Sequence, residues 1–240
     1  MQTGPAPTLP PGSKRVDART ERWREHRRRV RAEFVDAALR ALDDHGPGVS
    51  MGEIAKAAGA AKPKLYRHFS DKTDLYNAIV DRIGDMLWER IMSRIDLTHD
   101  SATELVRRGA IEYAAAVREH PHVFRFIAHS HFTQHADESE RALQSARGAA
   151  RRAATLVASV ADAPVDVDSA ELVIYSMFGA VASATDWWLG ARRLSPAAMS
   201  AEEFIEYLTA IISALMQTSA RVNGIAVDPD APLYRAFSAG

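Results

Sequence analysis

Apolar residues recur along this chain at the spacing of one face of an α-helix, and the alternating period of strands is absent. Phe34, Ala37, Ala38, Ala41 and Leu42 follow the i, i+3, i+4, i+7, i+8 rule, predicting an amphipathic helix that Gly46 and Pro47 end. A second, short helix begins at Ser50, whose S-x-x-E spacing to Glu53 is that of a capping box. It buries Ile54, Ala55 and Ala58, and Gly59 supplies a left-handed stop. After Gly59, Ala60 and Ala61 a third helix carries Leu65 and Phe69 on one side. Two short helices joined by a tight, glycine-led turn are the sequence form of a helix-turn-helix.

Long helical patterns follow. "DKTDLYNAIVDRIGDMLWERIMSRI" leads away from the turn, and Ser101 with Glu104 opens another helix through a second capping box. Pro121 starts a short apolar helix through Val123, Phe124, Phe126 and Ile127. Residues 136–160 and 168–194 read as two more long helices, and Ser200 with Glu203 opens the last. The expected fold is all-α: an N-terminal three-helix helix-turn-helix domain followed by a helical bundle. Residues 25–75 form the first and 76–222 the second. Residues 1–24, rich in Pro and Gly and then in Arg, are expected to be a disordered basic arm, with helix from about Glu25, and residues 223–240 a C-terminal tail.

Charge sharpens this division. Residues 1–75 hold 15 Lys/Arg against 10 Asp/Glu, whereas the whole chain has a net charge of −1. A basic end on an acidic body suits an anionic partner that touches one end only. On a wheel of about 100° per residue, Leu65 and Phe69 define the inner side of the third helix and Arg67 lies opposite. Pro63 and Lys64 flank Arg67, and Tyr66 and His68 occupy the two edges. Outward residues of such a helix reach base edges in a major groove, while flanking donors hold phosphates. The predicted DNA-contacting residues are therefore Ser50, Lys62, Pro63, Lys64, Tyr66, Arg67, His68 and Lys72.

The same residues carry a family resemblance. "VSMGEIAKAAGAAKPKLYRHFSDKTDL", Val49 to Leu75, resembles the N-terminal signature of the TetR/AcrR bacterial transcriptional regulators. Ser50, Ile54, Ala55, Ala58, Gly59, Leu65, Tyr66, His68, Phe69, Lys72 and Leu75 carry the match. Two departures stand out: Ala60-Ala61 replaces the usual Val-Ser, removing a hydroxyl cap, and Lys64 replaces a small residue. The resemblance implies a homodimer that binds a palindromic double-stranded DNA operator, usually as a repressor, released by a ligand in the C-terminal domain. It further implies that the last two long helices pair with their two-fold mates. Gly179, Ala180, Ala182, Ser183 and Ala184 would permit that close approach.

A small apolar effector is expected, a long-chain fatty acid or lipid first and a hydrophobic drug or metabolite second. Candidate lining residues are Met86, Trp88, Tyr113, Phe124, Phe126, Phe178 and Trp187, with Trp188 beside them; an apolar stripe at helical spacing serves a core equally well. His131 and His135 have the i, i+4 spacing of a metal pair, but no cysteine and no neighbouring carboxylate completes a set, so neither metal nor cofactor is assigned. Phosphate loops, nucleophile elbows and H-E-x-x-H are missing, so catalysis is not expected. An architectural DNA binder without an effector is the alternative, against which the large C-terminal body argues. No run of about 18 apolar residues occurs and the N-terminus lacks a signal's apolar core, so a cytoplasmic protein off the membrane is expected.

Overall fold

The computed structural model describes residues 13–133, 136–161, 164–194, 199–222 and 224–239. Its helices, in chain order, are α1 (Ser13–His45), α2 (Met51–Ala57), α3 (Lys62–Tyr66), α4 (Lys72–Met92) and α5 (Ala102–Glu119). They continue as α6 (Pro121–Thr133), α7 (Ala136–Val160), α8 (Val167–Leu194) and α9 (Ala201–Val222). The all-α architecture expected from periodicity is the one observed.

The capping boxes explain where several helices begin. At Ser50 and Ser200 both halves form, the hydroxyl accepting from the backbone N–H three residues on while Glu53 or Glu203 accepts from the cap N–H. Ser101 makes only the first half, because Glu104 turns to Arg108 at 2.9 Å. Gly46 and Gly59 end α1 and α2 with φ of +82° and +63°, backbone that a side chain would strain.

Two expectations fail at the ends of the chain. The arm is not disordered over 13–24: α1 is helical from Ser13, twelve residues before Glu25, and residues 1–12 lie outside the described residues. Arginine, alanine and glutamate are good helix formers, no Pro or Gly follows Gly12 before Gly46, and Arg29 pairs with Glu33 one turn on. The C-terminal tail, expected like the rest of the chain to hold no strand, carries two. Strands β1 (Ile225–Val227) and β2 (Phe237–Ala239) pair antiparallel in the register Ile225 with Ala239 and Val227 with Phe237, around a 3-10 turn at Leu233–Arg235. This segment covers the start of α5: Ala102 and Thr103 donate to the carbonyls of Ala231 and Pro229, and Leu233 donates to that of Asp100. Backbone donors left over by the first turn of α5 are thereby satisfied.

One continuous core links head and body. Ala38, Leu42, Leu65, Phe69, Leu75 and Ile79 are buried in the head, and Ala114, Val117, Val123, Trp188, Phe204 and Leu208 in the body. Trp188 stacks on Phe204 with centroids 4.2 Å apart and donates from Nε1 to the Met199 carbonyl at 2.9 Å, locking α8 to α9. Helix α8 is long and apolar enough over Val167–Gly190 to cross a membrane by length and composition only, and Asp168, Glu171 and Asp186 interrupt it so that no continuous apolar run forms. Asp168 and Glu171 near its start pair with Arg151 of α7. Leu172, Ser176, Gly179, Ser183 and Trp187 form an uncovered stripe along it. Small and apolar residues so spaced suit close packing against another helix.

Candidate nucleic-acid interface

The head is held around α3. Leu65 and Phe69 are fully buried beneath it, Phe69 meeting Phe34 of α1 edge-on at 6.3 Å. That packing fixes which way α3 faces, because a helix of five residues has too few internal hydrogen bonds to stand alone. Arg31 of α1 closes the head from outside. Its Nη1 donates to the His68 carbonyl at 2.6 Å and to Asp74 Oδ2 at 3.2 Å, its Nη2 bonds Asp74 Oδ1, and its guanidinium lies 4.1 Å from the Phe69 ring centroid. Asp74 also accepts from the Ser70 N–H at 3.0 Å, and Asp71 caps α4 by accepting from the Asp74 N–H at 2.7 Å. Sequence reasoning missed Arg31 and Asp74. The signal was present as an arginine one turn before Phe34 on the buried stripe.

Of the eight predicted DNA-contacting residues, Ser50, Lys62, Pro63, Lys64, Tyr66, Arg67 and Lys72 are exposed. Ala61 caps α3 without a side-chain hydrogen bond, and Pro63 occupies its first turn, where the missing N–H has no partner to lose. Lys62 sits 5.9 Å from the Tyr66 ring centroid, so a cation and a phenol present together at one edge. Arg67 follows α3 directly on the outward side. His68 differs: it is half-buried, its ring is tilted against Phe34 at 5.6 Å, and its Nδ1 is buried without a hydrogen-bond partner. Burial foremost, then the charges of Arg27, Lys64, His26 and Arg31, lowers its pKa below the ordinary imidazole value. Packed on Phe34, this imidazole is less available to a phosphate than the seven exposed side chains.

The predicted effector residues divide. Phe124 and Phe126 of α6 are buried; Phe124 meets Tyr113 edge-on at 5.6 Å and Phe126 meets Tyr76 of α4 at 5.2 Å. Tyr113 pairs with Thr185 at 2.8 Å, and since Thr185 donates onward to the Val181 carbonyl, Tyr113 is the donor between them. Burial pushes the Tyr113 phenol up to about 12, so it stays protonated. Met86 packs on this core and Trp88 is half-buried. Phe178 and Trp187, by contrast, are 39% and 58% exposed: both project from the outer side of α8, and Trp188 is the buried member of the tryptophan pair. An open groove of about 800 Å³ lies instead between α5 and α9, with Arg107, Ile111, Arg118 and Ile205 among its walls, and none of the predicted residues borders it. His135 lies outside the described residues, as does the side chain of His131.

Helix α6 joins the two halves. While Phe124 and Phe126 sit in the body, its preceding residue His120 holds Asp43 at the end of α1 through Nδ1 at 2.7 Å. His122 reaches within 3.6 Å of where a Cβ on Gly46 would stand.

Comparison with known proteins gives this geometry a family. Residues 34–79 match the family model described as bacterial regulatory proteins, tetR family, and residues 98–226 match the tetracyclin repressor-like C-terminal domain. The chain belongs to the TetR family of bacterial transcriptional regulators. An uncharacterised helix-turn-helix regulator of Mycobacterium tuberculosis, Rv0472c, is 32% identical over 206 residues, covering 85% of this chain and 84% of its own. Among solved structures, a TetR-family regulator from Streptomyces coelicolor superposes with a TM-score of 0.60 at 25% identity, covering 81% of this chain and 83% of that one. FadR of Thermus thermophilus, a TetR-family repressor solved with lauroyl-CoA, superposes at 0.59 over 78% of this chain and 93% of that one, with 13% identity that speaks to fold alone. In this TetR-family regulator α2 and α3 are the helix-turn-helix that binds DNA, and α5 to α9 lie within the second matched domain.

Proposed function

We propose that this regulator binds a palindromic operator as a homodimer, acts as a repressor, and is released by an effector carrying an apolar chain, a long-chain fatty acid or acyl derivative before a hydrophobic drug. The observation that carries the DNA reading is the outward face of α3: Lys62, Lys64, Tyr66 and Arg67 stand exposed above a sealed inner face of Leu65 and Phe69. In this reading Arg67 forks onto a guanine, while Lys62, Tyr66 and Lys72 hold phosphates. The dimer reading is supported by the uncovered stripe of α8, whose small residues would let the two-fold mate approach.

The position of α6 supports effector control. A chain inserted among Met86, Tyr113 and Phe124 would displace α6, and α6 is tied to α1 by His120–Asp43 and to α4 by Phe126–Tyr76. Both helices frame the recognition helix, so one shift would move the reading head as a unit. An effector works only through its different affinity for the two arrangements. The acyl class is favoured by the apolar character of the Met86, Tyr113 and Phe124 cluster and by the lauroyl-CoA ligand of the structurally similar Thermus repressor. The test is release of a fluorescent operator duplex on titration with lauroyl-CoA and, separately, with free fatty acid. The expected result is saturable release with two molecules bound per dimer in native mass spectrometry. Operator binding indifferent to both ligands, and to those extracted from protein purified from its host, would overturn effector control.

A further inference from the structure

Helix α1 does not stop where the head stops. From Phe34 onward its inner stripe is buried, with Phe34, Val35, Ala38 and Leu42 in the core. On a wheel of about 100° per residue, Arg24, Arg27 and Arg28 lie within about 60° of Arg31 and continue that same stripe toward the N-terminus. The stripe therefore turns from apolar to arginine at the edge of the head. Arg31 is already bonded to His68 and Asp74, but Arg24, Arg27 and Arg28 stand one to two turns farther out, exposed. With a rise of about 1.5 Å per residue, the segment from Thr20 to Arg31 reaches about 16 Å beyond the core.

We propose that this arginine stripe of the α1 extension is a second DNA-binding site, gripping the phosphate backbone beside the bases that α3 reads. The proposal rests on the DNA-binding assignment of the head and adds a site to it. Three observations carry it. First, the stripe and the recognition helix border one point: Arg31 bonds the His68 carbonyl, and Phe34 packs on the His68 ring. Both Arg27 and Lys64 lie close enough to act electrostatically on that imidazole. Arg27 stands one helical turn beyond Arg31, so the stripe runs outward from the point where α1 meets His68, just after α3.

Second, the stripe is repulsive on its own. Residues 20–31 hold six arginines against Glu21 and Glu25, and Glu21 is shared between Arg24 at 3.8 Å and Arg28 at 3.5 Å. Arg24 and Arg28 are i, i+4 neighbours and Arg24 and Arg27 are i, i+3, spacings at which like charges destabilise a helix. Exposed pairs such as those with Glu21 hold weakly and yield readily to a stronger anion. Third, the residues are arginine in every case, and the guanidinium fork matches the paired oxygens of a phosphate. Trp23 stands exposed at the flank of the stripe, with the Arg27 guanidinium over its ring at 5.5 Å.

Binding of this kind is blind to sequence and strongly salt-dependent. The experiment is a salt series of binding constants for the full chain on a duplex of random sequence and on a site recovered by selection. It compares the unaltered protein, Arg24→Gln/Arg27→Gln/Arg28→Gln, and Arg22→Gln/Arg29→Gln, which removes charge from the opposite side of the same helix. Glutamine has nearly the helix propensity of arginine, and far-ultraviolet circular dichroism checks that the helix persists. The slope of log K against log salt is expected to fall by about 0.9 for each phosphate that is no longer neutralised, up to about 3 per protomer, in the triple variant alone. Both duplexes should weaken by similar factors. An unchanged slope in the triple variant, or an equal fall per charge in the outward pair, would overturn the second site while leaving the head's DNA binding intact. Failure of the unaltered chain to bind either duplex would instead remove the head reading, and the second site with it.

Discussion

At the scale of single residues, the proposed interface divides side chains that would touch DNA from side chains that aim them. Arg67 is exposed beside α3 and free to reach a base edge, so Arg67→Ala should weaken binding to a specific site by about 1–3 kcal/mol and relax one base preference. Equal losses on specific and random duplexes would show that Arg67 holds a phosphate instead. Arg31 aims α3 without needing DNA. Arg31→Met keeps the stem over Phe69 but loses the bonds to His68 and Asp74, so urea melting should show a loss of about 1–2 kcal/mol, scaled down because the pair is partly solvated. The exposed face of α3 was legible in the sequence, since Leu65 and Phe69 four apart fix the wheel. The withdrawal of His68 was not, because it depends on Phe34, a residue thirty-four positions away on another helix.

At the scale of elements, local signals marked helix starts well and the chain's ends poorly. Capping boxes at Ser50 and Ser200 and glycines at 46 and 59 act within a few residues, so they can be read without the fold. The start of α1 could not be placed by hydrophobic period, because its inner stripe beyond the core is arginine. The tail was unreadable for a related reason. Three-residue strands separated by Asp228, Pro229, Asp230 and Pro232 have no periodic pattern, and they order because α5 offers them backbone partners. Leu233 anchors this tail as a buried side chain. Leu233→Ala should cost about 2–4 kcal/mol in thermal or urea unfolding and leave DNA sequence preference unchanged. A loss below about 0.5 kcal/mol would mean that the tail stabilises nothing.

At the scale of the molecule, head and body share one core, and α6 touches both. The effector residues were only partly legible: periodicity showed that Phe124, Phe126, Phe178 and Trp187 lie on helix faces but not which faces the body covers. The exposed pair on α8 belongs with the proposed subunit interface. Gly179 tests this cleanly, because a Cβ there meets nothing within 4 Å in a single subunit. Gly179→Leu should therefore leave the unfolding midpoint of the subunit unchanged or higher, helix propensity favouring leucine by about 0.5–1 kcal/mol. Sedimentation should nevertheless show it shifted from dimer to monomer. A variant that remains dimeric would place the subunit interface elsewhere.

Whether two copies of the α3 face read a two-fold site can be measured by selecting binding sites from a random duplex library with the purified full chain. The expected outcome is an enriched palindrome whose half-sites lie about one helical turn, or a multiple of it, apart, each half losing one base preference in Arg67→Ala. Enrichment of a single unpaired half-site, or of no sequence at all, would contradict it.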